Sequence, residues 1–132
     1  MFLAALDEAQ KDAFLALAAN IAPPDDTGLV QWALWQEWLA EMGLPPRTCI
    51  GWNDAELAVR SFPTARDRII VMLELARLSW EVESSMLWQG MERIAQLLHC
   101  TSEEIDAVRG WAERLAALRT EAIALIAVRA VA

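Results

Sequence analysis

Two stretches decide the fold: LALAANIAPPDDTGLVQWALWQEWLAEMG at residues 15–43 and LELARLSWEVESSMLWQGMERIAQLLH at residues 73–99. Each reads as a helix, an acidic interruption and a second helix that carries tryptophan. Leu15 aligns with Leu73 and Ala18 with Ala76. A second loop two residues shorter then brings Trp32 onto Trp88 and Met42 onto Leu98. The echo is an approximate duplication with a period of roughly 57 residues, outside the common solenoid repeats. Two copies imply a pseudo-symmetric bundle of helix–loop–helix units rather than an array.

Working outward, the helix of the first unit spans residues 8–22. Asp7 and Gln10 have capping-box spacing at its start. Phe14, Leu17, Ala18 and Ile21 recur at helical intervals, and Pro23-Pro24 stops it. The next helix, residues 29–42, ends at Gly43, a residue suited to the left-handed C′ position. Residues 45–52, PPRTCIGW, read as a connector. Asn53 caps a short helix over residues 54–61, which Pro63 ends. Thr64 with Asp67 opens a long helix that continues to Glu81. Residues 86–98 form another, and a Thr101/Glu104 capping box starts a last helix reaching Val128. Every apolar pattern is helical and the connections are short. The expected fold is all-α: a single domain over residues 1–132, two repeated helix pairs with a short middle helix and a long C-terminal helix.

The composition fits one core. The chain has 132 residues, of which 56% are apolar and 23% charged, too apolar for intrinsic disorder. Its net charge of −8 argues against a general phosphate-backbone binder, which needs a basic surface. Cys49 and Cys100 are too few for a disulfide framework. They read as small buried or half-buried thiols, and nothing demands an oxidising compartment. The opening MFLAALDEAQ lacks a basic region before its apolar run, so it does not read as a secretory signal. The longest charge-free stretch, residues 13–24, covers twelve residues, short of the roughly 20 needed to span a bilayer. The expectation is a cytoplasmic protein without an integral membrane segment or a nucleic-acid partner.

Familiar catalytic patterns are missing from the sequence. His99 is the only histidine, and its place at a helix end suits a C-terminal cap interacting with the helix dipole. No nucleophile elbow, P-loop or dinucleotide fingerprint is present, so an enzyme is not expected. The acidic loops are the candidate site: Asp25 and Asp26 in the first, Glu81 and Glu83 in the second. Brought to one end of the bundle, these four carboxylates would suit Ca²⁺ or Mg²⁺. The bland alternative is that Asp26 and Glu83 favour the positive ends of the helices that follow.

Seven tryptophans in the chain are a high density. Trp32, Trp35 and Trp38 share a stripe with Leu29, Leu39 and Met42, which reads as core. Val30 and Leu34 are expected on the other side, making this helix apolar over most of its circumference. Val30, Leu34, Trp35 and Trp38 are therefore candidates for contact with a protein partner or a second copy. The last helix continues the theme with Ile123, Leu125, Ile126, Val128 and Val131. Such a tail either closes the bundle or docks on a second subunit.

Residues 2–22 (FLAALDEAQKDAFLALAANIA), EMGL at 41–44, residues 73–98 and TSEEIDAVRGWAERL at 101–115 resemble TerB-like, tellurite-resistance-associated proteins. The likeness covers nearly the whole chain. It implies an all-helical domain of two related helix pairs with accessory helices, linked to tellurite and stress resistance in bacteria. It implies no enzymatic reaction, but action through divalent-metal or protein binding. The family carries an Ala-Asp-Gly turn in each loop, with glutamates early in the next helix. Here the first turn reads Pro24-Asp25-Asp26-Thr27-Gly28, and no carboxylate lies between Asp26 and Glu37. In the second, Val82 and Glu83 stand where Asp and Gly are expected, with Glu81 and Glu83 as flanking acids. The resemblance thus implies a non-enzymatic binding or scaffold protein whose Ca²⁺ or Mg²⁺ site is lost or weakened, with no other cofactor. The alternative is a divalent-cation-binding stress sensor that uses both acidic loops.

Overall fold

Local caps set where the helices begin. Gln10 N–H donates to the Asp7 carboxylate at 2.8 Å, and Asp7 N–H donates to Gln10 Oε1 at 3.1 Å. This reciprocal pair opens α1, Glu8–Ile21. Thr101 and Glu104 repeat the device at 2.8 and 3.1 Å, opening α6, Ser102–Val131. Each satisfies backbone donors that a helix start leaves unpaired. Between them lie α2 (Leu29–Glu41), the short α3 (Ala55–Ala58), α4 (Ala65–Glu81) and α5 (Ser85–Leu97). Single 3-10 turns occupy Leu3–Ala5 and Val59–Ser61. The computed structural model describes residues 2–21, 29–44, 54–81 and 85–131, and no strand occurs among them. The fold is all-α.

One cap differs from the sequence expectation. Asp54, rather than Asn53, caps α3: its carboxylate accepts from Leu57 N–H at 3.2 Å. Asn53 lies outside the described residues. The helix proper is also shorter than expected, because its last turn tightens into the 3-10 segment, a common way for a short helix to end.

The duplication is visible in how helices end and what they bury. Leu44 N–H donates to Leu39 O at 2.8 Å and Gly43 N–H to Ala40 O at 3.1 Å. Cys100 N–H likewise donates to Ala95 O and His99 N–H to Gln96 O, both at 3.0 Å. Both are Schellman closures, and the left-handed residue is Gly43 in one (φ 73°) and His99 in the other (φ 60°). These are matching positions of the two units. Trp35, Trp38 and Leu39 of α2, with Met42 just after it, correspond to Met91, Ile94, Ala95 and Leu98 of the second unit, and all eight are buried. The packing is crossed: α1 lies on α5 and α2 on α4, so the first helix of each pair meets the second helix of the other. α4 also packs on α5 and α6.

The core centres on Phe14, Trp35 and Trp38, each at most 1% exposed. The Phe14 and Trp38 rings meet edge to face with centroids 5.0 Å apart, and Trp35 meets Trp38 at 5.6 Å. Such pairs contribute about 0.5–1.5 kcal/mol each beyond area burial. Leu34 is only 3% exposed, which corrects its expected position on the opposite face. At about 100° per residue, Leu34 falls about 40° from Trp38, inside the buried arc. Among the described side chains of α2, those exposed are Ala33, Glu37 and Ala40.

Candidate functional site

The expected acidic site is not assembled by what the structure describes. Asp25, Asp26 and Glu83 lie outside the described residues; Glu81 is the last residue of α4, and its side chain is also outside them. Among the described residues, no group of three or more His, Cys, Asp and Glu side chains could hold a metal ion. The partner-contact residues fare differently. Leu34, Trp35 and Trp38 sit in the core, so they are not a docking face in this fold; they are consumed by packing on α1 and α4. Val30 lies in α2, with its side chain outside the described set.

A buried polar network joins the N-terminal segment to the centre of the bundle. Glu74 is fully buried. Its carboxylate accepts from Phe2 N–H at 2.6 Å, from the Trp38 indole at 3.2 Å and from Arg77 at 3.2 Å. Arg77 also donates to Glu37 at 2.8 Å, and Leu3 N–H donates to Glu41 at 3.2 Å. Burial disfavours the Arg77 charge, yet Glu37 and Glu74 outweigh it and raise its pKa above the ordinary value. A buried charge persists only when paired and hydrogen-bonded; the two terminal guanidinium nitrogens of Arg77 are paired with Glu74 and Glu37, while its buried Nε has no partner. The network fixes residues 2–5 against α2 and α4. Sequence reasoning missed it. The available signal was an acid and a base three residues apart inside the apolar run Leu73-Glu74-Leu75-Ala76-Arg77, where α1 carries Ala16 and Ala19 at the matching positions.

The anchored segment frames a groove of about 670 Å³, lined by Phe2, Ala4, Ala5, Ala65, Arg66, Ile69 and Ile70. Apart from the Arg66 guanidinium its walls are apolar. The Phe2 ring lies 6.3 Å from the Trp111 ring, so one rim of the groove borders α6. Farther up α5, Arg109 of α6 stacks 4.5 Å from the Trp88 ring and donates to Glu92 at 2.6 Å. These contacts hold the first half of α6 to the bundle.

The second half of α6 leaves it. Among the residues whose side chains are described, Ala112 is the last buried one of the helix, and residues 117–128 are all exposed. Leu118, Ile123, Leu125, Ile126 and Val128 are 56–69% exposed. Residues 122–128, AIALIAV, carry no charge. The expected alternative of a tail that closes the bundle is therefore set aside. A helix apolar on all sides is ordinarily buried, and contiguous exposed apolar surface of this kind marks an interaction site. Among the described residues, no helix is long and apolar enough to cross a membrane. In comparisons with known proteins, no family model, no curated protein and no solved structure matches the chain.

Proposed function

We propose that this chain is a non-enzymatic helical binding protein of the bacterial cytoplasm, and that the outer half of α6 is its docking element. One observation carries the reading: four large aliphatic side chains, Ile123, Leu125, Ile126 and Val128, lie more than half exposed on one uncharged helical segment, with Leu118 exposed one to two turns before it. The bundle holds the base of that helix rigidly through Trp88, Glu92 and Arg109, presenting the tip as a preformed surface. The TerB-like, stress-resistance assignment is part of the proposal; it is supported by the quoted segments and by an all-helical arrangement of two related pairs.

The test is a photo-cross-linking side chain in place of Ile126, with the same probe in place of the exposed Asp106 as control. In bacteria expressing the full chain, the Ile126 probe is expected to give a discrete higher-mass adduct and the Asp106 probe none. Equal smearing from both probes, or no adduct from either, would overturn the docking reading.

A further inference from the structure

We infer that the groove beside the N-terminal segment is a binding site for a medium-chain alkyl carboxylate, a free fatty acid, with Arg66 holding the carboxylate. The inference stands apart from the docking element on α6. The run Phe2-Leu3-Ala4-Ala5-Leu6 builds one wall. Leu3 and Leu6 are buried, while Ala4 and Ala5 of the 3-10 turn face outward. This wall is fixed in place, since Glu74 and Glu41 accept from the Phe2 and Leu3 N–H groups at 2.6 and 3.2 Å. The first turns of α4 supply the other wall through Ala65, Ile69 and Ile70. The groove's volume of about 670 Å³ lies within the roughly 300–1,000 Å³ of small-molecule sites. A concave site covers a small occupant on several sides, so it does not need the ~800 Å² per partner that a protein interface takes.

The chemistry of the walls selects the ligand class. Apart from Arg66, no side chain lining the groove carries a hydrogen-bonding group. A peptide laid there would desolvate its backbone N–H and C=O groups against apolar side chains that cannot pair with them. An alkyl chain has no such groups, and its burial is favourable along its whole length. Arg66, the one charged side chain of the lining, chooses the head. Its contact with the Asp67 carboxylate is long, at 3.9 Å, and its side chain is 69% exposed. The other Asp67 oxygen already accepts from the Gln10 amide of α1 at 3.0 Å. A guanidinium so placed retains donors for a second carboxylate, which it can grip through two parallel N–H···O bonds. The chain's net charge of −8 opposes an anion only at a distance. At physiological salt, charges beyond ~8 Å are largely screened, so the cation at the groove decides.

The experiment is isothermal titration calorimetry of the full chain with octanoate, decanoate and dodecanoate, each below its micelle concentration. A single saturable site is expected, with a dodecanoate Kd below about 1 mM. A tail half covered by the open groove gains about twofold per methylene, so dodecanoate is expected to bind about tenfold or more tighter than octanoate. Arg66→Gln is expected to weaken dodecanoate about tenfold, the loss of a charge-assisted hydrogen bond. Arg60 is exposed and outside the lining, and Arg60→Gln is expected to change the affinity less than about twofold. Ala65→Trp fills the groove and is expected to abolish binding with an unchanged far-UV circular dichroism spectrum, because Ala65 is exposed. Leu125→Lys with Ile126→Lys is expected to leave binding intact, which separates the groove from the α6 tip. No saturable heat from dodecanoate up to about 1 mM, equal losses at Arg60 and Arg66, or binding that survives Ala65→Trp would each overturn the proposal. Sedimentation of the full chain with fatty-acid-free phosphatidylglycerol vesicles, lost in Arg66→Gln, would also overturn it by assigning the groove to a membrane lipid.

Discussion

Arg77→Met is the most informative perturbation of the interior. Arg77 and Glu74 have side-chain exposures of 6% and 0%, and lie 3.2 Å apart. Breaking one side of such a buried pair costs about 3–5 kcal/mol. The lower end applies here because Glu74 keeps the Phe2 and Trp38 donors at 2.6 and 3.2 Å. The Arg77–Glu37 pair adds little, since Glu37 is 60% exposed and solvent screens it. The expected loss is about 3 kcal/mol, a large share of the roughly 5–15 kcal/mol typical of a domain. For a chain of this size that lowers Tm by about 10 °C. Glu74→Gln is expected to cost about 2 kcal/mol, because the amide keeps one acceptor but turns an N–H₂ toward donors. In the double variant the cost should fall short of the sum by about 2 kcal/mol, the coupling of a charge pair in direct contact. Urea unfolding followed by tryptophan fluorescence gives all four free energies, with unchanged m-values as the check on comparability. An Arg77→Met cost under about 1 kcal/mol, or an additive double variant, would refute the argument that Arg77 and Glu74 depend on each other as a buried, hydrogen-bonded pair.

The matched Schellman positions give opposite expectations. Gly43→Ala costs about 1 kcal/mol purely through backbone strain, since a Cβ there meets nothing within 4 Å at φ 73°. His99→Gly relieves the strain at φ 60° and raises stability by about 0.5 kcal/mol after the greater freedom of the unfolded glycine is subtracted; thermal melts that rank the two alike would contradict this. Burial, with Glu104 adding and Arg68 opposing, pushes the Cys100 thiol up. In a Cys49→Ser background, Cys100 should therefore react with a disulfide reagent more slowly than free cysteine near about pH 8. The folded state disfavours the thiolate, so this contribution to stability is intact below the ordinary thiol range and is lost as pH rises through the raised value. Thiol reactivity at neutral pH equal to that of free cysteine would count against it. Millimolar Ca²⁺, Mg²⁺ or Mn²⁺ should leave Tm nearly unchanged, because ligand-linked stabilisation requires tight binding to the folded state. A rise of several degrees that Asp25→Asn with Asp26→Asn abolishes would establish the cation sensor instead.

Much of the helical framework was legible because helix ends are local events. Asp7 with Gln10, Thr101 with Glu104, and Gly43 act on backbone groups within a few residues, so spacing along the chain suffices to find them. His99 was recognised as a helix-end residue. Its left-handed backbone was not, since histidine adopts that conformation only where surrounding structure compels it. The expected acidic loops remain a sequence reading, with three of their four carboxylates in residues outside those the structure describes.

What the sequence by itself determined was therefore the all-α class, the helix order and the twofold echo. The tertiary structure decided which apolar surface is covered. Leu34 and Ile126 are equally aliphatic, yet one is 3% and the other 69% exposed, because Leu34 lies on the arc of α2 turned into the core while the buried part of α6 ends well before Ile126. It also decided that Glu74 could be buried at all. The donors that stabilise its carboxylate come from Phe2, Trp38 and Arg77, two of them more than 35 residues away along the chain. Burial and charge pairing depend on neighbours distant in sequence, whereas caps and turns depend on neighbours close by.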